Sequence, residues 1–156
     1  MNISPFIAVV PMCCVTATAI AAMVAESFRE PGERMPIGPL GVIGLVGAAV
    51  ASVALWNSHA SSFGVVVADN FGLFVTWILI IVGLLSLAFS APTVEREQLP
   101  QGEYYALMLF AIAGMMLMAT ATDLLVIFLA LEELSLWVHM LSRIRRDSRI
   151  ATEAAF

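Results

Sequence analysis

The sequence predicts an all-α fold: a polytopic transmembrane helix bundle of five helices. Three observations predict it. The chain is 61% hydrophobic and 12% charged, with a mean hydropathy of +0.96, whereas soluble domains are roughly half apolar and a quarter charged. Apolar stretches approaching the ~20 residues needed to cross a bilayer recur along the chain. The basic residues, all of them arginine, fall only in alternate connections between those stretches.

The first helix is expected at about 5–25. It contains Pro11, which membrane helices tolerate. No Lys or Arg precedes it, so it lacks the positive start of a cleaved signal and reads as a retained helix. The second is expected at about 38–56, where Gly41, Gly44, Ala48 and Ala51 make one small-residue face suited to close helix contact. The third is expected at about 71–90. A single apolar run then extends from Tyr104 to Leu141. As one helix it would be roughly 57 Å long, almost twice a ~30 Å hydrocarbon core, so it must break. The only polar punctuation is Thr120-Ala121-Thr122-Asp123, with Thr122 or Asp123 as N-cap. The fourth and fifth helices are therefore expected at 104–121 and 123–142, and residues 1–156 form a single membrane domain.

This division explains the arginines. Arg29 and Arg34 lie between helices one and two, Arg96 between three and four, and Arg143, Arg145, Arg146 and Arg149 after helix five. The connections Asn57–Asn70 and Thr120–Asp123 carry none. All seven then lie on one side, which the positive-inside rule makes cytoplasmic, with the N-terminus outside. Residues 143–156 become a cytoplasmic, Arg-rich segment.

The same residues exclude several classes. The net charge of -5 and the absence of a basic run with interleaved aromatics argue against nucleic acid. Cys13 and Cys14 are adjacent, a geometry too strained for a bridge, and read as small hydrophobes. No Cys/His spacing suits a metal, and no glycine-rich phosphate loop is present. No cofactor or metal is expected in this chain.

Chemistry is concentrated in FLALEELSLWVHM, Phe128 to Met140. Glu132 and Glu133 lie at the middle of helix five, where each charge costs about 2.5–3.5 kcal/mol on an insertion scale. An acid in such a place is driven toward its neutral form or toward a cation. The chain has no lysine, so a partner lies elsewhere. Neighbours on a helix point about 100° apart, so the two acids cannot share one narrow cavity. Ser135, Leu136 and His139 share the face of Glu132, with His139 roughly 10 Å along the axis. Glu132 is the candidate for proton transfer and His139 a candidate relay. The plainer roles are structural hydrogen bonding for either glutamate and an interface position for His139. Trp56, Trp77 and Trp137 read as packing or interface anchors, and Met115, Met116 and Met118 as adaptable packing.

Several of these pieces occur together in one family. Gly114 to Leu117, Asp123 to Leu125, Phe128 to Glu132, Ser135-Leu136, Arg145 to Asp147 and Thr152 to Ala155 resemble, in order and spacing, subunit N of bacterial NADH:quinone oxidoreductase, the respiratory complex I. Upstream, ADNFGLF (Ala68 to Phe74) is similar to the opening of that family's third helix. The resemblance covers about Glu103 to Phe156; the first 60 residues match only in hydropathy. It implies the N-terminal portion of an antiporter-like fold of about fourteen helices with two inverted repeats, a common plan for transporters. It also implies a role in proton translocation, with Glu132 in the place of a glutamate that pairs with a lysine two helices later. Glu133 is usually apolar there, Trp137 and His139 replace residues commonly Pro and Tyr, and Arg143 replaces Gly. His139 is thus not a family residue.

The resemblance further implies a location in the bacterial inner membrane, with the lipid bilayer and other membrane subunits as partners. NADH, FMN, iron-sulfur clusters and quinone would be handled by other subunits. The chain reads as truncated, stopping where the family enters its sixth helix. Two alternatives remain at this level: a subunit of a multisubunit cation/proton antiporter or membrane-bound hydrogenase, and a non-catalytic five-helix scaffold.

Overall fold

The computed structural model describes residues 6–28, 37–58, 60–96 and 99–154. Five α-helices follow one another: α1 (Val10–Ser27, after a 3-10 turn Ile7–Val9), α2 (Gly38–Ala54), α3 (Asn70–Arg96), α4 (Gln101–Thr120) and α5 (Leu124–Ala154). Four segments are long and apolar enough to cross a membrane: Ile7–Ser27, Asn70–Arg96, Gln101–Thr120 and Leu124–Ile144. The fifth, α2, has 17 residues, which at about 1.5 Å each gives roughly 26 Å, close to the thickness of a hydrocarbon core. The chain is an all-α membrane bundle.

The helices do not contribute equally. α1, α2, α3 and α4 form a closed ring, each packed on the next, and α5 packs on α4 from outside it. In the most apolar stretch of α4, 61% of residues are buried; in that of α5, 6%. α4 is therefore the core helix, and among the described residues α5 has neighbours on one face only. The core runs through Val15, Leu45, Ile80, Leu109 and Met116.

The small-residue face of α2 does pack. Gly41, Gly44 and Ala48 are buried. A Cβ on Gly41 would touch Leu87 and Leu109, and one on Gly44 would collide with Thr18. Removing side chains from that face lets α1 and the α3–α4 pair approach, the close packing that replaces a hydrophobic driving force inside lipid.

Three features differ most from the sequence expectation. α3 continues past Ser90 through Pro92 to Arg96; the ring of a proline costs one backbone hydrogen bond but does not end a helix whose surroundings are apolar. α5 continues well past Ser142 to Ala154, so the Arg-rich segment is helical as far as Ala154. The Asn57–Asn70 connection holds a β-hairpin, β1 (Ala60–Ser62) and β2 (Val66–Ala68), paired Ser62 to Val66 and Ala60 to Ala68. Phe63 and Gly64 turn it with φ of 54° and 70°, and Gly64 takes that left-handed conformation at no steric cost.

The break in the long apolar run falls at Ala121, whose backbone is extended (φ -71°, ψ 139°). Asp123 then caps α5: its Oδ1 accepts from the Leu125 N–H at 2.9 Å. This turn docks on the hairpin. The Thr122 N–H donates to the Val65 carbonyl at 2.9 Å, and the Thr122 hydroxyl donates to the Gly64 carbonyl at 3.2 Å. The two arginine-free connections thus touch at one end of the bundle. Arg96 closes α3 at the other end. Arg29 and Arg34 lie outside the described residues, as does Pro5.

Candidate functional site

Of the membrane-length segments, the one that carries Glu132 and Glu133 is the least buried. α5 packs on α4 through a stripe that includes Ala130, Glu133, Leu134, Trp137, Leu141 and Ile144, all buried or half-buried. Ala130 is fully buried beside Gly114. Outward lie Leu125, Phe128, Leu129, Glu132, Leu136, His139 and Met140, all exposed.

The structure therefore separates the two glutamates. Glu132 stands on the open, apolar face at the middle of the Leu124–Ile144 span. Glu133 turns toward α4 and is half-buried. Its Oε1 accepts a long hydrogen bond, 3.4 Å, from Trp137 Nε1 one turn on. Trp137 stacks on Phe110 of α4, with ring centroids 4.5 Å apart and planes 15° from parallel. Sequence reasoning read Trp137 as a packing or interface anchor and gave structural hydrogen bonding as the plainer role of Glu133. The i, i+4 spacing was the available signal; which residue of α4 the indole would meet was not in the sequence.

His139 shares the outward face with Glu132. Its Nδ1 lies 2.6 Å from the Ser135 carbonyl. A carbonyl oxygen only accepts, so Nδ1 carries the hydrogen and Nε2 is left for an outward partner. The Ser135 hydroxyl is 3.4 Å from the same nitrogen. The structure does not bring His139 and Glu132 into contact; they are separated by about two turns of helix.

Among the described residues no group of three His, Cys, Asp or Glu side chains could hold a metal ion. Among the described residues, two apolar grooves on the bundle surface stand out. One, of about 400 Å³, is lined by Val53, Trp56, Phe74 and Trp77; the other, of about 320 Å³, lies between α3 and α4 beside Phe71 and Met115. Neither presents ionisable groups.

No family model matches the chain. Individual proteins do. It is 34% identical over 147 residues to NADH-quinone oxidoreductase subunit N of Chloroflexus aggregans, covering 93% of this chain and 30% of that protein. It is 42% identical over 105 residues to NADH-quinone oxidoreductase subunit N of Trichlorobacter lovleyi, covering 67% of this chain and 22% of that protein. It is 33% identical over 171 aligned residues to NADH-quinone oxidoreductase subunit N 1 of Sorangium cellulosum, covering 99% of this chain and 34% of that protein. The chain thus spans no more than about a third of the length of these curated relatives. On this similarity, and with a membrane bundle as its fold, the chain belongs to the NADH-quinone oxidoreductase subunit N family.

Proposed function

We propose that this chain forms part of a membrane subunit of a proton-translocating NADH:quinone oxidoreductase, and that Glu132 is the acidic group it contributes to proton transfer. One observation carries the reading: a carboxyl at the middle of a membrane-length helix, on a face that nothing in the described chain covers. In lipid such a group costs several kcal/mol, about 2.5–3.5 on an insertion scale, so it is placed where a base or water will meet it. The chain supplies no lysine. The base belongs to the remainder of the subunit, whose relatives are about three times as long.

In this reading Glu132 accepts a proton and passes it to that base. His139, with Nδ1 fixed on the Ser135 carbonyl, offers Nε2 as a second exchange point toward the arginine end. The arginine end is cytoplasmic by the positive-inside rule. Oxidation of NADH and reduction of quinone, with the flavin and iron-sulfur groups they need, belong to other subunits; this chain would hold none of them. The family likeness favours this assignment over the antiporter, hydrogenase and scaffold alternatives.

The test is Glu132→Gln in the full-length subunit within the assembled complex. Proton pumping by inverted membrane vesicles is measured against NADH oxidation, with complex content quantified alongside. The reading expects a large loss of pumping at unchanged complex content. Full pumping by the variant would remove Glu132 from the mechanism.

A further inference from the structure

Two glutamates in succession create an ambiguity that the bundle must resolve. Turning α5 by about 100° about its axis would exchange them, sending Glu133 outward and Glu132 against α4. Hydrophobic burial does little to prevent it. Leu131 and Val138, flanking the polar residues, are about half exposed, as are Leu129 and Leu136. α5 is apolar over most of its circumference, and lipid or protein would accept either setting.

What distinguishes the two settings is a polar and aromatic arrangement on the α4 side. Trp137 holds Phe110 through its ring face and Glu133 through its N–H. If the helix turns, the stack on Phe110 is lost; the Glu133–Trp137 hydrogen bond lies within α5 and travels with it, so Glu133 acts by fixing the indole in the rotamer that makes the stack. Between Ala106 and Thr120, α4 has no titratable side chain, so no competing charge draws Glu133 elsewhere on that helix.

We propose that Trp137, Glu133 and Phe110 form a rotational lock on α5 that turns Glu132 to the open face. Glu133 is a positioning residue: it accepts the indole hydrogen bond and carries no transferred proton. The proposal rests on the reading of Glu132 as the proton-transfer acid. Proton transfer needs donor and acceptor about 2.6–3.2 Å apart, and misplacement by about 1 Å costs on the order of a hundredfold in rate. Even a small rotation of α5 would therefore be visible in pumping.

The experiment uses the assembled complex in membranes with Glu133→Gln, Glu133→Leu, Trp137→Phe and Trp137→Ala. The Gln side chain still accepts the indole N–H, so Glu133→Gln keeps pumping and its pH profile. Glu133→Leu removes the acceptor, and Trp137→Ala removes both contacts. At equal complex content Trp137→Ala lowers pumping by about tenfold, and Glu133→Leu by a smaller factor. A second readout is independent of pumping. The indole N–H signature of Trp137 in ultraviolet resonance Raman, taken as wild type minus Trp137→Phe, shifts in Glu133→Leu and not in Glu133→Gln. Equal damage from Glu133→Gln and Glu133→Leu would make Glu133 a proton carrier and overturn the lock. So would an unchanged indole signature in Glu133→Leu. Full pumping by Glu132→Gln would instead remove the proposed function, with the Raman comparison still deciding whether the lock exists.

Discussion

Glu26, on the last turn of α1, accepts a hydrogen bond from the backbone N–H of Gly102, on the first turn of α4, at 3.1 Å. The acid satisfies one of the donors left open at the start of a helix and places negative charge where the helix dipole favours it. Nothing local to Glu26 in the sequence shows that α4 begins beside it. The contact demands a glycine. A Cβ at position 102 would run into the Glu26 side chain and come within 2.9 Å of the Ala22 carbonyl. Gly102→Ala is therefore expected to separate α1 from α4 and destabilise the bundle by about 1–3 kcal/mol. A lowered thermal midpoint of the purified protein in detergent checks this; a midpoint within error of wild type would contradict it.

The α1–α2 contact makes a matched prediction. A Cβ at Gly44 would meet three atoms of Thr18, whose hydroxyl is committed to the Cys14 and Val15 carbonyls at 2.8 Å. At Gly114 the nearest atom is 3.5 Å away, ordinary contact distance. Gly44→Ala should cost about 1–3 kcal/mol, while Gly114→Ala should stay within about 0.5 kcal/mol. Adding Thr18→Ala to Gly44→Ala removes two of the three clashing atoms and should return part of the loss. Thermal denaturation of the four proteins provides the comparison, and equal effects at the two glycines would refute the packing described.

The turn between α4 and α5 is the third place to test. Asp123 caps α5, and Thr122 ties the turn to the hairpin through Val65 and Gly64. Asp123→Ala should cost about 1 kcal/mol. Gly64→Val should cost at least as much, since φ is +70° there although nothing crowds the position. Both variants should raise the rate of proteolytic cleavage near residues 121–123 in detergent. Unchanged cleavage would mean that the hairpin does not support this turn.

What the sequence revealed follows from how local each signal was. The helices were legible because lipid imposes length and apolarity residue by residue, and the Thr120–Asp123 break was legible because one helix cannot exceed the bilayer twofold. The hairpin was not legible: Ala60–Ser62 and Val66–Ala68 are three residues each, and their pairing is stabilised by contacts from Ala8 and Thr122 that lie far off in sequence. The end of α3 lies beyond the apolar stretch that marked it in sequence, because the helix continues through Pro92 to Arg96 after the apolar run has ended. At the candidate site, the glutamates and the histidine were visible as polar residues in an apolar run. Which glutamate faces outward depends on Phe110 meeting Trp137, a contact between helices that no window along α5 contains.

His139 gives the last prediction. Its Nδ1 hydrogen is held by the Ser135 carbonyl at 2.6 Å, which fixes the ring and leaves Nε2 on the same outward face as Glu132. If the imidazole passes protons along that face, His139→Gln should slow pumping by roughly threefold, below the 10²–10⁴-fold usual for a direct acid–base catalyst because water or another group must bridge the gap. Groups that act in one path are not additive. The Glu132→Gln, His139→Gln double variant should therefore pump no worse than Glu132→Gln alone. His139→Asn supplies a donor near the Nδ1 position and no group at Nε2, so it should behave like His139→Gln. Pumping, complex content and the solvent isotope effect measured in the same vesicles decide the matter. Normal pumping by both single variants would reduce His139 to an interface residue, and a double variant markedly worse than Glu132→Gln would place it on a separate path.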